Sequence, residues 1–221
     1  TQQVTFDRVI LTIPFIVLRR LDYSKAGFDS LKKTAITQLG YGTNAKLQLQ
    51  FDTRYWNGKG AWPGVSDGNI YTDAGFQNTW DVTRGQNGAT GIIVGYTGGN
   101  LGAAFRPDAP YTTSASHKTR DYAHEFLAKL ERVWPGITPH YTGTATLSCP
   151  FLDPNLLGSY SCWKVGQYTL FSGYEGVRQG KIHFAREHCS INFQGFMEGG
   201  AEEGARAANE ILSDYQGGIF P

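Results

Sequence analysis

The stretch KIHFAREHCSINFQGFMEGGAEEGARAANEIL, residues 181–212, constrains the fold more than any other part of the chain. Its first residues, Ile182-His183-Phe184-Ala185, read as a strand. The strand gives way to a polar loop and then to a long helix over residues 196–215. Ala, Glu and Arg fill most interior positions of that helix, and Gly217-Gly218 stand just past its end, a common helix stop. A helix N-terminus presents N–H groups without intrahelical partners and a partial positive charge. It suits an anion or an electron-rich carbonyl. Gly195, Gly199, Gly200 and Gly204 would let backbone or a bound group come close there.

The rest of the chain mixes short strands with two further helices. Val9-Ile10-Leu11-Thr12-Ile13 is an apolar, β-branched run stopped by Pro14, which predicts a buried strand. Residues 27–38 carry Phe28, Leu31, Ala35 and Ile36 at helical spacing. Lys46 to Phe51 alternates as KLQLQF, a half-buried strand. Residues 56–69 hold turn signals at Asn57-Gly58, Pro63-Gly64 and Asp67-Gly68. Residues 70–80 predict a strand pair and residues 91–96 a buried strand. The strongest middle helix spans 116–133, with Tyr122, Phe126, Leu127 and Leu130 in one stripe, and ends at Trp134-Pro135-Gly136. Residues 150–158 read as a loop and 159–168 as extended. The fold class expected is α+β, a mostly antiparallel sheet with helices.

Composition excludes several functions. The net charge of +1, from 20 basic and 19 acidic residues, gives no electrostatic argument for nucleic acid or an anionic membrane. Charged residues are 18%, below the usual share of about 25%, which fits much buried surface or a piece of a larger protein. No apolar run approaches the ~20 residues of a membrane span, and the first residues lack signal-peptide features. Cys149, Cys162 and Cys189 have no disulfide or zinc spacing, so reduced thiols and a cytoplasmic location are expected.

Taken whole, residues 181–212 resemble the last motif of flavin-containing amine oxidases, a group of monoamine, polyamine and L-amino-acid oxidases. The family pattern runs F-A-G-E-x-x-S, an aromatic, G-[YF]-x-E-G-A, then G-x-x-A-A. The resemblance implies that Glu187 lies beside the FAD ribityl and diphosphate, and that Phe196, following Gly195, packs near the flavin ring. It also implies that the backbone of Met197 faces the pyrimidine oxygens. Arg186 stands where the family usually has Gly, so its side chain would crowd the phosphates or pair with them. Residues 6–14, containing Val9, resemble the family's V-I-x-x-x-P strand at the edge of the FAD domain.

Gly42-Thr43-Asn44-Ala45-Lys46 resembles the family's G-x-x-x-K, whose lysine sits opposite flavin N5 and holds a water. That makes Lys46 the catalytic candidate. By alternation Lys46 shares a face with Gln48 and Gln50, and that polar face is either solvent or a cavity. Leu157-Gly158-Ser159-Tyr160-Ser161 resembles the G-[SCG]-Y segment that passes the flavin. Ser159 takes the position where animal monoamine oxidases bond flavin through Cys, and Cys162 lies three residues too late, so the FAD is expected to be non-covalent. Tyr160 and Phe196 would be the two walls of an aromatic cage for an amine. Read without the resemblance, both rings are core packing, the usual fate of aromatics, and Lys46 is an exposed strand-start lysine or one that faces a cavity.

Other patterns carry less. Residues 95–102 are Gly-rich after a strand but lack G-x-G-x-x-G spacing, and read as a turn. His183, Glu187 and His188 match no metal template, and Ser161 with His188 lacks a G-x-S-x-G elbow. The resemblance implies that residues 1–14 are a strand of an FAD-binding domain, 15–178 a substrate-binding domain, and 179–221 the C-terminal strand and helix of the FAD-binding domain. The family's N-terminal G-x-G-x-x-G element is missing. The chain is therefore expected to be a fragment or split subunit, inactive alone, with an N-terminal FAD-binding half as partner and a homodimer left open. The implied reaction oxidises an amine or L-amino acid to an imine, with dioxygen reduced to hydrogen peroxide. Alternatives are a related flavoprotein desaturase or oxidase, against which Lys46 argues, and a catalytically silent binding domain of the same fold.

Overall fold

The computed structural model describes residues 2–58 and 66–218, so the Pro63-Gly64 turn signal lies outside the described residues. The chain divides into two compact units, Thr1–Gly42 with Pro154–Pro221, and Thr43–Asp153.

The first unit opens with strand β1 (Val9–Leu11). Helix α1 (Phe15–Leu18) follows directly, with Pro14 at its N-cap. Helix α2 (Ser30–Gln38) begins where the Asp29 carboxylate accepts from the Lys32 N–H at 2.7 Å, satisfying one of the orphan donors of the first turn. Strand β2 (Gly40–Tyr41) ends this part.

Among the described residues the second unit is a six-stranded antiparallel sheet with helices. Strand β3 (Ala45–Phe51) lies inside it, and the order is completed by β4 (Ile70–Tyr71), β5 (Asn78–Asp81), β6 (Gly91–Thr97), β7 (Tyr111–Thr113) and β8 (Tyr141–Ser148), arranged β4-β5-β6-β3-β8-β7. Alternation sets the register: Ala45, Leu47, Leu49 and Phe51 are buried, while Lys46 points the other way and is exposed. Helix α3 (Gly99–Ala103) follows β6, and α4 (His117–Val133) lays Phe126, Leu127 and Leu130 on the apolar face. Each fully buried Leu or Phe there contributes roughly 1.5–3 kcal/mol. A Cβ on Gly95 would lie 2.7 Å from the Phe126 ring, so only glycine lets that ring reach the strand.

The chain then returns to the first unit. Strand β9 (Ser161–Cys162) pairs antiparallel with β2. Helix α5 (Gln167–Phe171) comes next, and β10 (Ile182–Phe184) pairs parallel with β1, Val9 opposite Ile182 and Leu11 opposite Phe184. Helix α6 (Met197–Gln216) closes the chain, with Phe196 at its N-cap and Gly217 at its C-cap. The core of this unit is Phe15, Phe28, Ile36, Leu39, Phe171 and Phe184.

The α+β class and the antiparallel middle sheet agree with the sequence reading. Three local expectations need correction. Strand β1 is not buried: Val9 and Ile10 are 39% and 41% exposed, because its sheet has two strands among the described residues and parallel strands are buried only when both faces are covered. Residues 159–168 are extended only at β9, since Gly166 at φ +80° turns the chain and Gln167 starts a helix. The Gly-rich segment after β6 holds helix α3 rather than a bare turn.

Candidate functional site

In the first unit the sequence-selected residues gather around Glu187. This side chain leaves a short 3-10 turn, Glu187–Cys189, just after β10. One carboxylate oxygen accepts from the Ser161 N–H at 3.1 Å. The other accepts from the Ser161 hydroxyl at 2.8 Å and from the Gly195 N–H at 2.9 Å. Gln194 Nε2 in turn donates to Ser161 Oγ at 3.0 Å. Charge-assisted bonds of this kind are about twice as strong as neutral ones, so Glu187 clamps β9 to the start of α6. Gly195 takes φ +85°, a left-handed conformation that brings its N–H onto the carboxylate.

The 157–161 loop is fixed by close approach. A Cβ on Gly158 would stand 2.7 Å from Tyr41 Cβ. The loop extends the β2–β9 pairing through Ser159 N–H to Gly42 O and Gly42 N–H to Tyr160 O, each 2.9 Å. Tyr160 lies at the glycine before α6: a Cβ on Gly195 would be 3.5 Å from its ring. Tyr160, Phe196 and Met197 are all exposed, Met197 by 95%. Phe196 caps α6 without a side-chain hydrogen bond, leaving the N–H groups of the first turn open.

Arg186 adopts fully extended backbone, which any residue tolerates. Its Nη1 donates to Thr12 O at 3.2 Å, and its Nε is buried without a partner. Val9 donates its N–H to Lys181 O at 3.1 Å and lies at the exposed end of β1.

Sequence spacing carries no signal for Ser161 and Gln194 as partners of Glu187, because Ser161 lies far upstream and no local pattern joins them. Ser161 Oγ is bonded to both Glu187 and Gln194. His183 and His188 do not act together. His183 Nδ1 bonds Glu210 at 2.8 Å, while His188 packs on Phe15 and is driven down to about 3 by burial, with the Arg186 and Lys32 charges adding. Among the described residues no group of three or more His, Cys, Asp or Glu is placed to hold a metal ion. Burial pushes the Cys149 thiol up to about 11 and that of Cys189 up to about 12, which makes both inert at neutral pH.

In the second unit Lys46 has company that the sequence did not suggest. Its ammonium lies 6.0 Å from the Trp80 ring centroid and 5.9 Å from that of Tyr96. The two rings meet edge-on at 5.4 Å. Lys46 lies directly across from Tyr96, and Tyr96 across from Asn78 on the next strand. A cation held beside two ring faces is attracted by their quadrupoles. No helix of the described residues is long and apolar enough to cross a membrane.

Comparison with known proteins adds a family. The model of the family described as flavin containing amine oxidoreductase matches residues 1–212. The provisionally named L-amino-acid oxidase YobN of Bacillus subtilis (strain 168) is 28% identical over 94% of this chain, which covers 41% of that protein. Polyamine oxidase 4 of Oryza sativa subsp. japonica is 26% identical over 92% of this chain and 39% of its own length. Among solved structures, cyclohexylamine oxidase from Brevibacterium oxydans IH-35A aligns over 95% of this chain and 43% of its own with a TM-score of 0.78 at 17% identity, a likeness of fold. The chain spans about two fifths of the length of these relatives.

Proposed function

The chain belongs to the flavin containing amine oxidoreductase family, and from that premise we propose that it is the substrate-binding and cofactor-closing part of an FAD-dependent oxidase of amines or L-amino acids. The observation that carries this reading is the Glu187 clamp, which holds an uncapped helix start beside the exposed rings of Tyr160 and Phe196. The residues fit the cofactor. The first turn of α6 keeps open N–H donors for an electron-rich group, and Arg186 Nε is a buried donor without a partner in the same unit.

When bound, the flavin supplies the hydride acceptor and hands the electrons on to dioxygen, giving hydrogen peroxide. The chain's own residues do the rest. The backbone at Met197 offers fixed donors where negative charge would build, and fixed donors need no reorganisation during reaction. Glu187, already tied to Ser161 and Gly195, fixes the loop beside that helix start. Tyr160 and Phe196 would bind the neutral amine between apolar ring faces and exclude water. Lys46 would hold a water and move a proton, with Trp80 and Tyr96 restraining its ammonium. Ser159, which has no thiol, supports a non-covalent cofactor. The division into residues 1–14, 15–178 and 179–221 is the functional assignment proposed with this reading, and the remaining cofactor contacts would come from polypeptide outside this chain.

The test is peroxide production by the whole polypeptide against a panel of monoamines, polyamines and L-amino acids. Turnover of at least one class is expected, and Lys46→Met should lower it by about a hundredfold with flavin content unchanged. Bound flavin with no peroxide from any amine would sink the proposal.

A further inference from the structure

Two Asn-Gly pairs occur in the chain, Asn57-Gly58 and Asn87-Gly88, and the fold treats them differently. In such a pair the glycine amide nitrogen, once deprotonated, is a nucleophile within reach of the Asn side-chain carbonyl carbon. Glycine favours the attack because it has no Cβ in the way and a wide backbone range. What decides the rate in a folded chain is how firmly the glycine N–H and its turn are held.

Asn57 is firmly held. It is the last residue of the 3-10 turn Tyr55–Asn57, whose Trp56 is buried in the core of the second unit. Its own N–H donates to Arg54 O at 2.9 Å, and the Gly58 N–H donates to Tyr55 O at 3.1 Å. The nucleophile is thus engaged, and the turn has to open before attack. Asn87 stands in the opposite condition. Residues 84–90 are all exposed and lie outside any helix or strand. Among the described residues no hydrogen bond engages the Gly88 N–H or the Asn87 side chain. A Cβ on Gly88 would meet nothing within 4 Å, and its φ of +104° favours glycine. The loop is anchored on either side of the pair instead. Arg54 Nη2 donates to Gln86 O at 2.8 Å, and the Arg54 N–H donates to Ala89 O at 3.0 Å. Asn87-Gly88 is the unheld span between two anchors.

We propose that Asn87 is a site of spontaneous deamidation, with water as the co-reactant, and that the fold protects Asn57 from the same reaction. The Gly88 nitrogen gives its proton to solvent and bonds to Asn87 Cγ. The Cγ–Nδ2 bond breaks, and the nitrogen takes up a proton and leaves as ammonia. Water then opens the cyclic imide at either of its two C–N bonds, giving aspartate or isoaspartate, with no change of oxidation state. The new carboxylate cancels the formal net charge of +1. Isoaspartate also adds a methylene to the main chain between the two carbonyls that Arg54 holds.

The test is to age the whole polypeptide at mildly alkaline pH, digest it, and follow each Asn-Gly peptide by mass spectrometry with separation of the isoaspartate form. Asn87 is expected to convert at least about tenfold faster than Asn57, since two turn hydrogen bonds hold the latter pair. In urea the two rates should converge, because the protecting turn is gone. Asn87→Gln should remove most of the acidic form that accumulates on ion exchange. Equal rates in the folded protein, faster loss at Asn57, or no conversion at Asn87 because another part of the polypeptide covers the loop would each overturn the proposal. A difference that persists undiminished in urea would overturn it as well, since sequence and not the fold would then set the order.

Discussion

Buried charge is concentrated in a few residues of the first unit. Lys32 is fully buried on α2, where its ammonium donates to the carbonyls of Tyr174 and Glu175 at 2.7 Å and sits 3.9 Å from the Phe184 ring centroid. Loss of hydration draws its pKa down to about 8, against the pull of Cys189, Glu175 and Asp29. The same loss pushes the Glu175 carboxyl up to about 7, and one of its oxygens has no partner. Lys32 and His188, both drawn down, lose stability as pH falls, and Glu175 responds oppositely. The folded pKa of His188 lies below its ordinary 6.5, so the unfolded chain takes the proton first, and stability falls as pH drops from about 6.5 to about 3. The folded pKa of Glu175 lies above its ordinary 4.5, so its contribution is whole below pH 4.5 and is lost as pH rises to about 7. Urea midpoints measured against pH should show His188→Leu removing the acid-side loss and Glu175→Gln removing the decline between pH 4.5 and 7. A Glu175→Gln difference that stays constant across that window would show that the carboxyl is solvated. None of this cluster is legible in the sequence. Charged side chains are rarely buried, and Lys32 meets its acceptors from the far end of the chain.

Elements with one strong period were legible. KLQLQF alternates as β3 does, and the Phe126-Leu127-Leu130 stripe buries as α4 requires. Short elements were not. Pro14 reads as a strand stop but begins α1, a position where its fixed φ and missing N–H cost nothing. Glycines sort by what a Cβ would meet. At Gly158 it would strike Tyr41 Cβ at 2.7 Å, so Gly158→Ala should cost about 1–3 kcal/mol, read as a shift in urea midpoint, by prising the loop off β2. On α6 the positions differ within one turn. A Cβ at Gly199 would lie 2.4 Å from Phe193 O, whereas those at Gly200 and Gly204 meet nothing within 4 Å. Gly200→Ala and Gly204→Ala are therefore expected to stabilise by roughly 0.5–1 kcal/mol each, and Gly199→Ala to destabilise. Thermal melts decide it: destabilisation by Gly200→Ala in the whole polypeptide would mean that another segment covers that face. The Glu187 motif was readable from residues 181–212, but its Ser161 and Gly195 donors depend on a left-handed turn and a distant strand that no spacing encodes.

At the scale of the molecule, two fifths of a family member's length folds as two units with well-packed cores. The 221-residue chain alone, mixed with FAD and desalted, is expected to emerge without flavin absorbance, since a pyrophosphate needs a Gly-rich turn that this chain lacks. Retained colour would show that the α6 corner suffices. The parallel pairing of β1 with β10 has a consequence for biosynthesis. Residues 9–11 leave the ribosome long before residues 182–184 exist, and no other strand pairs with β1 among the described residues. At about 5–20 residues per second the nascent strand waits roughly ten to thirty seconds with Val9 and Ile10 unpaired. Slow decoding between the two strands is therefore expected to lengthen the interval in which β1 can pair wrongly.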